Sequence, residues 1–136
     1  MTSPQKPIPD VSEELAPFFA AAREGRLVIQ RCTGCGQRRF PPREICSRCL
    51  GREAEWVPSG GRGTIVSFNV MHQVYHPGFA SEVPYAVVLV ELEDGGRLLS
   101  NLVDCPLEHL RIGLPVEVTF ERRSDEIYLP QFRRVS

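Results

Sequence analysis

Lysine occurs once in this chain of 136 residues, at Lys6, while arginine supplies every other strong base. Tryptophan is also single (Trp56), methionine occurs twice and histidine three times. These scarcities and several missing patterns exclude whole classes of function. No apolar run approaches the ~18–20 residues that a helix needs to cross a bilayer, so no membrane role is expected. The opening Met1-Thr-Ser-Pro4 is polar and proline-rich, with no apolar core of a secretory signal. The expected location is the cytoplasm. No nucleophile–base motif surrounds Ser59, Ser67, Ser81 or Ser100, and Gly60-Gly-Arg-Gly63 is too short to be a phosphate loop. No catalytic residue is therefore expected on this chain.

Charge is scarce in sum and uneven in place. The formal net charge is −1. Residues 31–63 carry seven arginines against Glu44, Glu53 and Glu55, a net of +4, whereas residues 64–136 carry six bases against ten acids, a net of −4. Nucleic-acid backbones are held by several Lys or Arg along one groove. An acidic second half with its bases interleaved among acids argues against that use, and no nucleic-acid partner is expected. The ribbon arginines face water by default, with a CoA phosphate as the alternative.

Cysteine is what the chain does have, and it comes in pairs. Cys32-x-x-Cys35 and Cys46-x-x-Cys49 are separated by ten residues, with Cys105 left over. Glycine at or just past the second cysteine (Gly36, Gly51) lets the backbone fold back so that amides point at sulfur. Two such knuckles offer four thiolates, the donor set of a closed structural zinc site with Zn–S bonds of about 2.3 Å. Iron is the alternative ion, since a tetrahedral S₄ set serves both. Two disulfides are the competing arrangement, but Cys-x-x-Cys is a poor disulfide span. A closed metal site is scaffold rather than chemistry. Cys105, beside Pro106, reads as a packed thiol.

The segments fall into three parts: a lead and helix over 1–30, a metal ribbon over 31–60 and a β-barrel over 61–136. Asp10 or Ser12 is the expected helix cap, with Leu15, Phe18, Phe19 and Ala22 on one face, Pro17 separating or kinking the first turn, and Gly25 ending the helix. Such a stripe packs on its own domain or docks on a partner, and because it lies outside both small cores Phe18 and Phe19 are candidate partner contacts. Strands are expected at 26–31, 38–42 and 55–57 in the ribbon, with Trp56 over the metal or the seam. Five more follow at 64–71, 85–92, 97–103, 116–122 and 127–134, with a helical turn at 107–110. Five strands, a long connection after the first and a short helical element after the third describe a mainly β chain ending in an OB-fold barrel. Pro130 marks an edge or bulge in the last strand. His72, Tyr75, His76 and Phe79 cluster in the longest loop and are the candidate ligand or partner contacts, with Arg62 as a further candidate for an anionic ligand.

The order of features resembles one family across nearly the whole chain, from about residue 8 to 135. The match runs through Pro9-Asp10, Phe18-Phe19, Ala22-Arg-Glu-Gly-Arg-Leu27, Gln30-Arg-Cys-x-x-Cys-Gly36, Phe40-Pro-Pro-Arg43, the second Cys pair, Trp56, Gly61-Arg-Gly-Thr64 and Pro84-Tyr85. It looks like the family long labelled a domain of unknown function, in which a helix and a rubredoxin-like zinc ribbon precede an OB-fold. The resemblance implies that Cys32, Cys35, Cys46 and Cys49 are zinc ligands. It implies a non-catalytic accessory subunit of a thiolase-superfamily enzyme, either a thiolase or a retro-aldolase, acting on acyl-CoA in lipid, steroid or aromatic-acid degradation. An enoyl-CoA hydratase is an additional implied companion, and acyl-CoA a ligand shared with the partner. The alternative is a free-standing OB-fold module that binds acyl-CoA or nucleic acid.

Overall fold

The computed structural model describes residues 12–73, 77–79 and 83–135. It begins with a turn in which the Leu15 amide donates to the Ser12 carbonyl (3.1 Å) and hydroxyl (3.3 Å). Helix α1 (Ala16–Arg23) follows, with Pro17 in its first turn, where a missing N–H leaves no bond unmade. The helix therefore starts later than a Ser12 cap predicts, and Asp10 lies outside the described residues. Its end is as the glycine foretells. Gly25 takes φ +75°, and the amides of Gly25 and Arg26 donate back to Ala22 and Ala21 at 2.9 Å, satisfying carbonyls that the helix leaves open.

The ribbon strands β1 (Val28–Cys32), β2 (Arg38–Arg39) and β3 (Ala54–Pro58) form an antiparallel sheet in the order β2-β1-β3. The second sheet comprises β4 (Arg62–Met71), β5 (Tyr85–Leu92), β6 (Arg97–Val103), β7 (Pro115–Arg122) and β8 (Tyr128–Arg134). Its pairing runs β4-β5-β6-β8-β7, and β7 pairs back with β4, so the sheet closes on itself. Alternation does the sorting: Ala86, Val88, Val90 and Leu92 of β5 all point inward and are at most 3% exposed. Each fully buried Val contributes about 1.5–3 kcal/mol. Closure is uneven. β8 pairs with β7 from Tyr128 to Arg134 but with β6 only through Leu102↔Phe132 and Val103↔Arg133. Pro130 has no amide to offer β6, and only its carbonyl is used, by the Ser100 hydroxyl at 2.6 Å.

The expectation of two separate small cores does not hold. A single apolar cluster joins Phe18 and Phe19 of α1, Leu27 and Ile29 of the ribbon base, and the barrel interior from Ile65 to Phe132. Helix α1 packs against β8 and β1. Phe18, 5% exposed, meets Phe40 at 4.8 Å and Trp56 at 6.4 Å between ring centroids. Phe18 and Phe19, the candidate partner contacts, are buried against their own chain, with the Phe18 ring in the seam between ribbon and barrel. Trp56 belongs to that seam as well. The last short elements are 3-10 turns at Pro77–Phe79 and Leu107–His109.

Candidate metal centre

The two cysteine pairs fold as matching knuckles. In the first, the Gly36 amide donates to the Cys32 carbonyl (2.8 Å) and the Cys32 amide to the Gln37 carbonyl (2.9 Å). In the second, Leu50 donates to Cys46 and Cys46 to Gly51, each at 2.9 Å. The residue that takes the left-handed conformation is the one just past each second cysteine: Gly36 at φ +81° and Leu50 at φ +64°. The expectation that Gly51 turns the second knuckle is thus corrected. Gly51 serves a different need, for a Cβ there would stand 3.2 Å from Cys49 Sγ; at Gly34 it would stand 3.4 Å from the same sulfur.

These turns converge the four sulfurs. Cys32 and Cys49 Sγ are 3.5 Å apart, Cys35 and Cys46 Sγ are 3.7 Å apart, and all four lie within 4.8 Å of one another. A tetrahedron with metal–sulfur bonds of about 2.3 Å has edges of about 3.8 Å, so the donor set fits a single tetrahedral ion. Cys32 and Cys46 are buried while Cys35 and Cys49 are exposed, and no disulfide joins any of them. The amides favour thiolate. Those of Cys35 and then Gly34, with help from neighbouring thiols and against burial, bring the Cys32 thiol down to about 6. The amides of Cys49 and Arg48 lower that of Cys46. At Cys49 the Gly51 amide acts the same way but is outweighed by the Cys32 sulfur, burial and the other two thiols, which push it up to about 11. A bound cation takes the ligands as thiolates, so loading the site releases protons.

Leu50 allows a direct check. A left-handed φ costs an L-residue about 1–2 kcal/mol, and at 74% exposure its side chain gives little back. Leu50→Gly should raise stability by up to about 1 kcal/mol after its own unfolded-state entropy is counted, whereas Leu50→Ala, keeping the strain, should not. Thermal melting of the metal-loaded proteins separates the two.

Beside the knuckles, the seam to the barrel is held by groups that sequence patterns did not single out. The Asp94 carboxylate, in the β5–β6 turn, accepts from the Ser59 hydroxyl and the Gly60 amide, both at 2.8 Å, and lies 3.9 Å from Arg38 Nη1. Gln30 Oε1 accepts from Arg39 Nε (2.8 Å) and from the Arg43 amide (3.0 Å). Arg39 is only 8% exposed, so the default of a wholly solvated arginine face is corrected at this position. The β1–β2 register, Gln30↔Arg39, is what turns it inward.

The other candidates are dispersed. Arg62 is exposed at the start of β4, and His72 is exposed just past its end. Phe79 closes the turn Pro77–Phe79, while Tyr75 and His76 lie outside the described residues. His109, exposed, bonds through Nδ1 to Arg134. Cys105 is half-buried at the edge of the core. Among the described residues, the structure brings together the four cysteines.

Residues 19–55 match the family described as the ChsH2 rubredoxin-like zinc ribbon domain, and residues 56–121 match the ChsH2 C-terminal OB-fold domain. A probable enoyl-CoA hydratase alpha subunit of Thermomonospora curvata is 40% identical over 94% of the chain, which spans 40% of that protein's length. A DUF35 domain-containing scaffold protein of Methanocaldococcus jannaschii is 37% identical over 74% of the chain and 71% of its own length. The benzoylsuccinyl-CoA thiolase subunit BbsA of Thauera aromatica is 32% identical over 72% of the chain and 68% of its own length. Among solved structures, a chain of an Ltp2-ChsH2(DUF35) aldolase superposes with a TM-score of 0.84 at 39% identity, covering 93% of this chain and 98% of that one.

Proposed function

The chain belongs to the DUF35 family of rubredoxin-like zinc ribbons joined to an OB-fold, and from that membership we propose that it is a non-catalytic accessory subunit of a thiolase-like enzyme acting on acyl-CoA. The observation that carries the reading is end-to-end likeness, at 39% identity, to a chain of an aldolase assembly, supported by a thiolase subunit among its relatives. The sequence offers no nucleophile–base pair, and among the described residues the cluster of metal-ligating side chains is the cysteine tetrad. Zinc held there by Cys32, Cys35, Cys46 and Cys49 supplies a cross-link rather than an open coordination position. The chain's own contribution is then shape. Its knuckles and barrel form one packed body, and Leu50, Leu99 and Ile112, each more than half exposed, are apolar contact points on it. Among the described residues no helix is long and apolar enough to cross a membrane.

The substrate in this reading is a CoA thioester from lipid, steroid or aromatic-acid breakdown. The hydratase alpha-subunit relative makes an enoyl-CoA hydratase a second candidate companion. Tagged protein isolated from its native cells, with mass spectrometry of what co-purifies, distinguishes these. A thiolase-like enzyme in near-equal amount is expected, and the complex should be active where either component alone is idle. Thiolysis or aldol cleavage by the purified chain alone would overturn the proposal.

A further inference from the structure

Ribbon and barrel also enclose a cleft of about 270 Å³ whose polar lining is Gln37, Arg38, Arg39, Arg43, Ser47 and Arg97, with Glu91 as its one carboxylate. Three of the arginines come from the ribbon and the fourth from the start of β6. The β5–β6 turn brings them together by close approach. A Cβ at Gly95 would stand 2.8 Å from Arg38 Cβ, and one at Gly96 would stand 3.0 Å from the Phe40 amide nitrogen. Carboxylates offset part of this charge: Glu91 lies 3.7 Å from Arg97, both more than half exposed, and Asp94 lies 3.9 Å from Arg38, which leaves Arg39 and Arg43 with no ion pair of their own among the described residues.

Arg39 is the telling member. Its guanidinium is fixed at two of three nitrogens: Nε donates to Gln30 Oε1 at 2.8 Å and Nη2 to the Arg43 carbonyl at 2.9 Å. Nη1 is buried and has no acceptor among the described residues. A buried cationic donor without an acceptor is costly, and polar groups so placed are ordinarily satisfied by something. Four arginines lining one cleft, one of them buried with an unused donor, match a phosphoryl group, whose oxygens supply both the opposing charge and the forked geometry that arginine prefers.

We propose that this cleft is a phosphate-binding site, taking the mono- or diphosphate group of a ligand, with Arg39 as the fixed anchor and Arg38, Arg43 and Arg97 as the outer clamp. The proposal stands on the cleft itself and is independent of which enzyme partners the chain.

The test is calorimetric titration of the metal-loaded full chain with pyrophosphate and, in parallel, with CoA. Saturable binding of pyrophosphate at one per chain is expected. Losing one charge-assisted bond to phosphate should weaken it about tenfold or more. Arg39→Lys, which keeps the charge but not the fork, should show that loss. Arg97→Gln, at an exposed position that does not endanger folding, should show it too. Arg111→Gln removes the same charge at an exposed position away from the cleft and should leave affinity within about twofold. CoA binding more tightly than pyrophosphate would place the phosphate on a nucleotide-bearing ligand, and equal affinities would identify a free diphosphate as sufficient. Absence of saturable pyrophosphate binding, or equal losses for Arg97→Gln and Arg111→Gln, would overturn the proposal.

Discussion

Cys46→Ser should abolish the ribbon as a folded unit. Cys46 is fully buried, and its sulfur receives the Arg48 amide at 3.4 Å. A serine hydroxyl at that place is a poor thiolate substitute for a borderline-soft ion. Even outer-shell changes at metal sites cost about 10–100-fold in affinity, so loss of a direct ligand should exceed that range. Metal content per chain and competition with a chromophoric chelator measure the affinity. Trp56 reports the fold, because it sits opposite Gln30 in the β1–β3 ladder and against Phe18 in the seam. Strong chelator should act on the unaltered protein in the same way as the substitution. A chain that keeps its Trp56 emission and its fold in chelator would contradict a structural metal.

The second large effect concerns the Gly61-Arg-Gly63 lead into the barrel. A Cβ on Gly63 would stand 2.3 Å from the Glu91 carbonyl oxygen and 2.8 Å from Val90 Cγ1, both part of the β4–β5 ladder. Backbone cannot step aside as a flexible side chain can. Gly63→Ala should therefore cost about 3 kcal/mol, at the upper end of what overpacking usually does. Gly60→Ala is the natural control: the nearest atom to its new Cβ is Asp94 Oδ2 at 3.9 Å, and a change within about 0.5 kcal/mol is expected. Denaturant unfolding of both variants, metal loaded, decides the matter. Equal losses would show that close approach at Gly63 is not the cause, since the unfolded-state entropy of glycine favours the alanine variant at both positions.

What the sequence made legible was whatever depends on short-range pattern. A run of β-forming residues placed Tyr85–Leu92, and the turn after it placed Arg97–Val103, as strands with the bounds observed, and the cysteine spacing predicted sulfurs that the fold does bring together. What escaped depends on partners far along the chain. The apolar stripe of α1 was visible, but the surface that covers it is made by the ribbon and barrel meeting, which no local pattern encodes. Six ribbon arginines look alike in sequence, and only the Gln30↔Arg39 register decides which one is buried. Gly51 looked like the turning residue of its knuckle, yet the Cys46 amide bonds the Gly51 carbonyl, and that register assigns the left-handed turn to Leu50. Asp94 was hidden in an ordinary hairpin signal, Glu93-Asp-Gly-Gly96.

The lopsided pairing of β8 carries a further consequence. A stave held along seven register pairs on one flank and two on the other divides the barrel into a firm wall and a hem. Local opening draws on the fewest bonds available, so the β6–β8 margin is the place where the cylinder exchanges its amide protons first. The β4–β5 wall, with the longest ladder in the molecule, is where they persist. The barrel thus has a built-in direction of yielding, set by one proline that has no hydrogen to give.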